Sequence, residues 1–379
     1  SAGVRTVTTP NAVTLKDIEA TTPGAGDRLA VQAVDGKDDR TPYTDSYSFT
    51  VSQRLPFTSL IEVAYVGNRS RDLLNTGGPG NNINAVPAGA LLKAGVGNPA
   101  DANQDLYRPL QGFQDVRIAT HNLYADYNSM QVSWIRNKGR YNLNLNYTLG
   151  KSQGIIGVYD EFNLANNYGP TSADRRHVFN AAYSIELGSP FRSNKVAGGL
   201  INGWQFSGIT QWQSGVNLTA NTGGNFNLDV NGNTLSSGYA ISARSINGTE
   251  SIALRPLVKC DPASGLGDHQ FVNSSCLALP TTPGQNGPTV LPAVYGPSFF
   301  NSDLGLFKNF QISESKKLQF RFNAYNFLNH PLYSFISTSN NLKLQYAQNN
   351  PGVVSNPIFG MTTEKQGKRI VQLALKFYF

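Results

Sequence analysis

The stretch Val371-Gln-Leu-Ala-Leu-Lys-Phe-Tyr-Phe379 keeps a strict period of two. Val371, Leu373, Leu375, Phe377 and Phe379 fall on one side of an extended chain, and Gln372, Ala374, Lys376 and Tyr378 fall on the other. Successive strand side chains point to opposite faces, so the pattern is that of a strand with one apolar and one polar face. Tyr141-Asn-Leu-Asn-Leu-Asn-Tyr-Thr-Leu149 repeats it, with Asn142, Asn144, Asn146 and Thr148 on the polar side. Such a strand fits a soluble sandwich, whose apolar face packs inward. It fits equally a membrane barrel, whose apolar face meets lipid while the polar face meets a wet lumen.

Repetition with aromatic ends favours the barrel. In Leu318-Gln-Phe-Arg-Phe-Asn-Ala-Tyr325 the side of Leu318, Phe320, Phe322 and Ala324 opposes Gln319, Arg321, Asn323 and Tyr325. Phe179, Ala181, Tyr183, Ile185 and Leu187 alternate likewise with Asn180, Ala182, Ser184 and Glu186. Tyr and Phe recur near the segment ends, as in the girdles at the two membrane interfaces, and Trp134, Trp204 and Trp212 suit the same belts. Loop lengths add an independent signal. Short or moderate joints, at 55–57, 137–140, 188–200 and 312–317, alternate with long Gly/Asn/Pro-rich stretches near 68–124, 153–174, 215–298 and 329–366. Outer-membrane barrels have short periplasmic turns and long external loops, whereas loops this long are uncommon in compact soluble domains.

Composition agrees: Gly 37, Tyr 17 and Phe 20 with 15% charged residues suit many strands and turns rather than helix bundles or disorder. The mean hydropathy of −0.30 and the lack of a long apolar run exclude helical membrane spans. They do not exclude a barrel, whose strands average lipid-facing and lumen-facing residues. The net charge of +7 is scattered and carries no nucleic-acid fold motif, so nucleic acid is not an expected partner. Ser1 to Thr9 lack the basic and apolar regions of a signal peptide.

The expected architecture is all-β: an antiparallel transmembrane outer-membrane β-barrel segment. About nine strands are expected, near 43–54, 58–67, 125–136, 141–152, 175–187, 201–214, 299–311, 317–328 and 367–379. Residues 1–42 are expected as an extracellular loop or run-in and 43–379 as barrel. Bacterial barrels have even strand numbers, and an open sheet in lipid leaves unpaired backbone groups at both edges. The remaining strands are therefore expected upstream of Ser1.

Strand-centred blocks across residues 43–379 resemble TonB-dependent receptors, specifically the Oar-like group with a carboxypeptidase-regulatory-like domain. They are Tyr47-Ser-Phe-Thr-Val-Ser-Gln-Arg54, Glu62-Val-Ala-Tyr-Val-Gly-Asn-Arg69, Asp174-Arg-Arg-His177, Asn202-Gly-Trp-Gln-Phe-Ser-Gly208 with Gln213-Ser-Gly215, and Gly296-Pro-Ser-Phe-Phe-Asn-Ser-Asp-Leu-Gly-Leu-Phe-Lys308. Most specific are Phe322-Asn-Ala-Tyr-Asn-Phe-Leu-Asn-His-Pro331 and the terminal Phe379. The resemblance implies the C-terminal part of a barrel of the roughly 22-stranded type. It also implies an N-terminal plug and a TonB box that couples the inner-membrane proton gradient to nutrient uptake; neither is visible here.

Candidate sites follow. Cys260 and Cys276, without a His ligand pattern, suit a loop disulfide. Val371, Leu373, Leu375, Phe377 and Phe379 look like the signal read by the barrel-assembly machinery: an edge strand with an aromatic anchor. Gln319, Arg321, Asn323, Gln372 and Lys376 are expected to face the lumen, contacting water and plug or selecting cargo. Arg175, Arg176 and His177 could contact an anion, although a strand end tied to its loops is the simpler reading. His121, His177, His269 and His330 lack metal-site spacing, no cofactor is implied, and no catalytic motif has supporting context. The expected function is nutrient binding at the external loops and TonB-powered passage through the barrel. The alternatives are an outer-membrane structural or adhesion protein, or a soluble β-sandwich module.

Overall fold

The computed structural model describes residues 29–75, 81–189, 195–335 and 338–379. The alternating stretches form strands: β2 (Tyr43–Leu55), β3 (Ser59–Asn75), β4 (Phe113–Lys138), β5 (Tyr141–Ile155), β6 (His177–Glu186), β7 (Trp204–Gln213), β8 (Phe299–Gln311), β9 (Lys317–Tyr325) and β10 (Ile370–Tyr378). Each pairs antiparallel with its sequence neighbour, giving one meander from β2 to β10. Among the described residues the meander is an open sheet, because β2 and β10 are each paired on one side only.

All four short connections lie at one end of this meander and all four long ones at the other. The tightest is Gly139-Arg140 between the paired Lys138 and Tyr141; Gly139 takes φ 68°, a left-handed conformation that costs glycine nothing.

Several strand limits differ from the alternation. β3 and β4 continue to Asn75 and back to Phe113, well beyond the roughly 9–11 residues needed to cross a bilayer. The hairpin thus stands clear of the sheet at the long-loop end, and part of what the composition marks as loop is ladder. β7 begins at Trp204 because a short helix, Lys195–Ile201, occupies the joint before it. β9 stops at Tyr325: Asn326 turns left-handed, and its amide group exchanges hydrogen bonds with the backbone of His330. β6 starts at His177 and β10 at Ile370, two and three residues later than the expected strand limits at 175 and 367.

The run-in segment holds a strand that carries no alternation signal. Leu29–Val34 forms β1, which pairs parallel with the protruding part of β4, from Leu29↔Phe113 to Val34↔Ala119. Residues 1–28 of the expected run-in lie outside the described residues.

The dry core sits in the long loops, not in the sheet. Phe226, Ile246, Val272, Val294, Leu342 and Leu344 are 0% exposed and belong to one cluster drawn from the β7–β8 and β9–β10 connections. The β3–β4 loop docks onto this body: Gly89 and Leu91 donate backbone N–H groups to the Asn247 and Gly248 carbonyls, and the Thr249 hydroxyl donates to Val86. The β5–β6 loop joins through Glu161 to Ser251 and Ala253 to Tyr159.

Buried asparagines replace ladder bonds inside these loops. Asn84 donates to the carbonyls of Leu110, Phe113 and Gln114 and accepts from Leu110 N–H. Asn167 accepts from the Tyr159 and Asp160 N–H groups and donates to three carbonyls. A buried chain without secondary structure must satisfy its backbone in some such way. Cys260 and Cys276 form a disulfide with Cα atoms 4.8 Å apart, beside the cluster.

Candidate functional site

Register carries each strand's alternation across the whole meander. Leu373 stands opposite Phe322, which stands opposite Leu306, then Phe206, Ile185, Tyr141. On the reverse face Gln372 meets Asn323, and Lys376 meets Gln319. A one-residue slip anywhere would invert a strand, so the continuity of both rows is a property of the sheet as a unit.

The apolar face ends in aromatic groups at both ends. At the long-loop end His177 stacks between Tyr147, whose hydroxyl lies 2.7 Å from Nδ1, and Trp212. At the short-turn end Trp204 meets Phe320 edge-on. Lys308 shares this face with Trp204 and Phe320, which its apolar neighbours would not suggest. Its ammonium group donates to the Leu200 and Asn202 carbonyls at 2.9 and 2.7 Å, capping the helix Lys195–Ile201, and lies over the Trp204 ring. The charge is tolerated because it closes carbonyls that the helix end leaves open.

The polar face holds a hollow of about 580 Å³ near its middle, lined among others by Asn144, Ser184, Ser207, Asp303, Phe307 and Asn323. Beside it Gln319 donates to Asn309, and Arg321 donates to Gln319 and to the Tyr378 hydroxyl, with its guanidinium over Phe307. Gln319, Arg321, Asn323, Gln372 and Lys376 are thus brought onto one face across two strands. Sequence reading missed Asp303 and Ser207; the same parity applied along β7 and β8 would have found them.

Arg175 and His177 do not converge. Arg175 donates to the Ser172 and Asp174 carbonyls, and His177 lies in the aromatic stack. Asp174 is buried, accepting from Ser152 N–H and the Tyr295 hydroxyl. His330 packs edge-on against Phe300. Among the described residues no group of His, Cys, Asp and Glu could hold a metal, and no helix is long and apolar enough to cross a membrane.

Two charged groups in the loop assembly are strongly perturbed. Burial pushes the Glu161 carboxyl up to about 7 against the hydrogen bond from Ser251, at the seam near Arg108, Asp115 and Arg117. Arg108 bridges Asp105 and Asp115 at 2.7 Å each. Burial lowers the Arg255 guanidinium to about 10; it lies over the Tyr159 ring at 4.2 Å and donates to the Thr289 carbonyl.

Comparison with known proteins gives three kinds of finding. Among curated proteins none matches the chain in sequence. Solved structures that resemble it include the outer membrane transporter YddB from Escherichia coli, at 8% identity and TM-score 0.37, covering 93% of this chain and 34% of that one. The ferric-catecholate import receptor Fiu from E. coli K12 has 9% identity and TM-score 0.38, with 94% and 31% covered. P. aeruginosa FpvA bound to heterologous pyoverdines has 8% identity and TM-score 0.32, with 88% and 27% covered. The chain therefore spans about a third of the length of these structures. A profile of the outer membrane beta barrel domain matches residues 1–372, nearly the whole chain. A meander with one apolar and one polar face is what such a domain requires, and with that match the chain belongs to the outer membrane beta barrel domain family, at home in the Gram-negative outer membrane.

Proposed function

We propose that this chain is the C-terminal barrel segment of a TonB-dependent receptor of the Oar-like group, which takes up a nutrient. The observation that carries this reading is the pairing of a two-faced sheet with a folded loop assembly at one end only. The face of Leu373 and Phe322 meets lipid; the face of Gln319, Arg321, Asn323, Gln372 and Lys376 lines the lumen. The long loops lie outside the cell and receive the cargo, with residues 1–42 as a further extracellular loop or a run-in to the barrel; the short turns are periplasmic. Further strands of the same barrel complete the sheet between the free edges of β2 and β10, since bare edges are untenable in hydrocarbon.

The partners are outer-membrane lipid, the barrel-assembly machinery reading Val371, Leu373, Leu375, Phe377 and Phe379, the TonB system acting through an upstream plug, and the nutrient. Arg175 is committed to the Ser172 and Asp174 carbonyls and His177 to its aromatic stack, which favours a strand end tied to its loops over an anion contact by Arg175, Arg176 and His177.

The test is a deletion strain assayed for uptake with and without collapse of the inner-membrane proton gradient. Energy-dependent uptake that returns on complementation supports the reading; uptake unchanged by deletion rejects it. The size of the folded loop assembly also favours an adhesion surface, and loss of attachment with intact uptake would select that function instead.

A further inference from the structure

We propose that the outward face carries a binding site for a phosphorylated lipid headgroup, at the rim where the apolar band gives way to the loops. Its cations are Arg69, Arg71 and Lys151. The inference rests on the orientation given above: apolar face toward lipid, long loops outside.

Three observations place the site. The first is register. On the lipid-side parity, Tyr65 pairs with Met130 and Met130 with Leu149. One row further toward the loops the same parity brings Gly67, Asn128 and Lys151, and the row after that brings Arg69 and Asp126. Each row is roughly 7 Å tall, so the change from aliphatic to cationic side chains occurs within the depth of a headgroup layer.

The second is an aromatic marker of the same level. The hydroxyls of Tyr47 and Tyr65 both donate to Asn128 Oδ1, at 3.0 and 2.7 Å, and their rings lie 6.1 Å apart. Tyrosines with apolar bodies below and hydroxyls above mark a membrane interface. Gly67 makes room for this arrangement: a Cβ there would fall 2.3 Å from the Tyr47 ring, which instead lies flat across β3.

The third is the space and its charge. A hollow of about 330 Å³ opens here, lined among others by Arg69, Arg71, Asp126, Lys151 and Tyr168. Asp126 is shared by Arg71 at 2.7 Å and Arg69 at 3.8 Å. Asp45 stands opposite Arg69 on β2, and the buried Asp174 is tied to Ser152 N–H and the Tyr295 hydroxyl. The hollow itself has three cations against one carboxylate. Arg71 is anchored to the Ser70 carbonyl and over the Tyr124 ring, so it supplies fixed positive charge. Arg69 is 58% exposed and Lys151 is exposed, so both can turn onto a phosphate as a guanidinium fork and an ammonium donor. The acyl chains of the same lipid would then run down over Met130 and Leu149. A free phosphate would gain nothing from that continuity, which is why the occupant is a lipid.

The experiment uses the full-length protein in phosphatidylcholine nanodiscs doped with diphosphoryl lipid A, with its dephosphorylated form, or with neither. Retained lipid is read by native mass spectrometry. The phosphorylated lipid is expected to be retained preferentially, and Arg69→Gln/Arg71→Gln/Lys151→Gln to reduce retention about a hundredfold, at about fivefold per cation removed. Lys151→Gln alone, which disturbs neither Arg–Asp126 pair, guards against misfolding and is expected to lose about fivefold. Equal retention of both lipids, or undiminished retention by Lys151→Gln, overturns the site. Displacement of the lipid by inorganic phosphate alone at matching concentration also overturns it, in favour of a free-phosphate site. Gln285→Cys, labelled on intact cells by a membrane-impermeant maleimide, separates the two readings. Absence of label defeats the orientation, whereas label without lipid preference defeats the headgroup site only.

Discussion

The sheet and the loop assembly use the same apolar residue types to opposite ends. In the sheet Leu373 is 65% exposed and Phe49 70%, whereas in the loops Phe226 and Leu344 are fully buried. A soluble protein could not leave such rows bare, because contiguous exposed apolar patches of that extent mark an interface. The contrast shows where each region finds its solvent: the sheet depends on lipid, and the loops depend on one another. It follows that the two should respond independently to substitution and to medium.

The largest expected effect is in the loops. Phe226→Ala should cost that assembly roughly 3–5 kcal/mol, the usual range for emptying a packed phenylalanine site. Hydrogen exchange should quicken at Val272 and Leu344 while β4 and β5 keep their protection; simultaneous loosening of the sheet would mean the two regions form one cooperative unit. Leu373→Arg should cost roughly 2–4 kcal/mol in lipid vesicles near the midplane, with Gln372→Arg mild. Denaturant titration reads both, and equal tolerance would contradict the facing. Opening the disulfide with Cys260→Ser should cost the loop assembly about 3 kcal/mol, since the bridge closes a loop of 16 residues. Faster proteolytic nicking near residue 265, with an unchanged barrel fragment, would confirm that the bridge serves only the loops.

The smallest effect is a pH dependence confined to the seam. Glu161 has its carboxyl raised from 4.5 to about 7, so the folded loops bind a proton more tightly than the unfolded chain does. Their stability is therefore greatest below about 4.5 and declines as pH rises through about 7. Glu161→Gln should flatten that decline, read as proteolysis rate of the β5–β6 loop against pH; an unaltered profile would place the titration elsewhere.

The same contrast explains what the sequence disclosed. A strand that faces two different media writes its fold as a period of two, so β5, β9 and β10 are legible from Tyr141–Leu149, Leu318–Tyr325 and Val371–Phe379. Opposed loop lengths gave the two ends. The loop core is written in no period: Phe226, Ile246, Val272 and Leu342 come at irregular intervals and meet only in three dimensions. Asn84 and Asn167 read as turn formers, yet they are buried clamps, because an asparagine looks alike in sequence whether its amide bonds water or backbone. Lys308 breaks the apolar row for a reason invisible along the chain, namely the helix end brought beside it. The polar hollow was half legible: parity assigned Asn323, while Asp303 lies in a strand whose alternation is blurred by Phe307 on the polar face and Lys308 on the apolar one.

The protruding part of β4 has a consequence for life outside the membrane. Carbonyls three residues apart on a strand point to opposite margins; that of Val116 accepts from Ile83 and that of Ala119 from Asp35, just beyond β1. The strand is therefore flanked on both margins where it leaves the bilayer. A long ribbon raised above a crowded surface would otherwise template its neighbours into intermolecular sheets, and here β1 and the Asn82–Ile83 stretch deny it that opportunity.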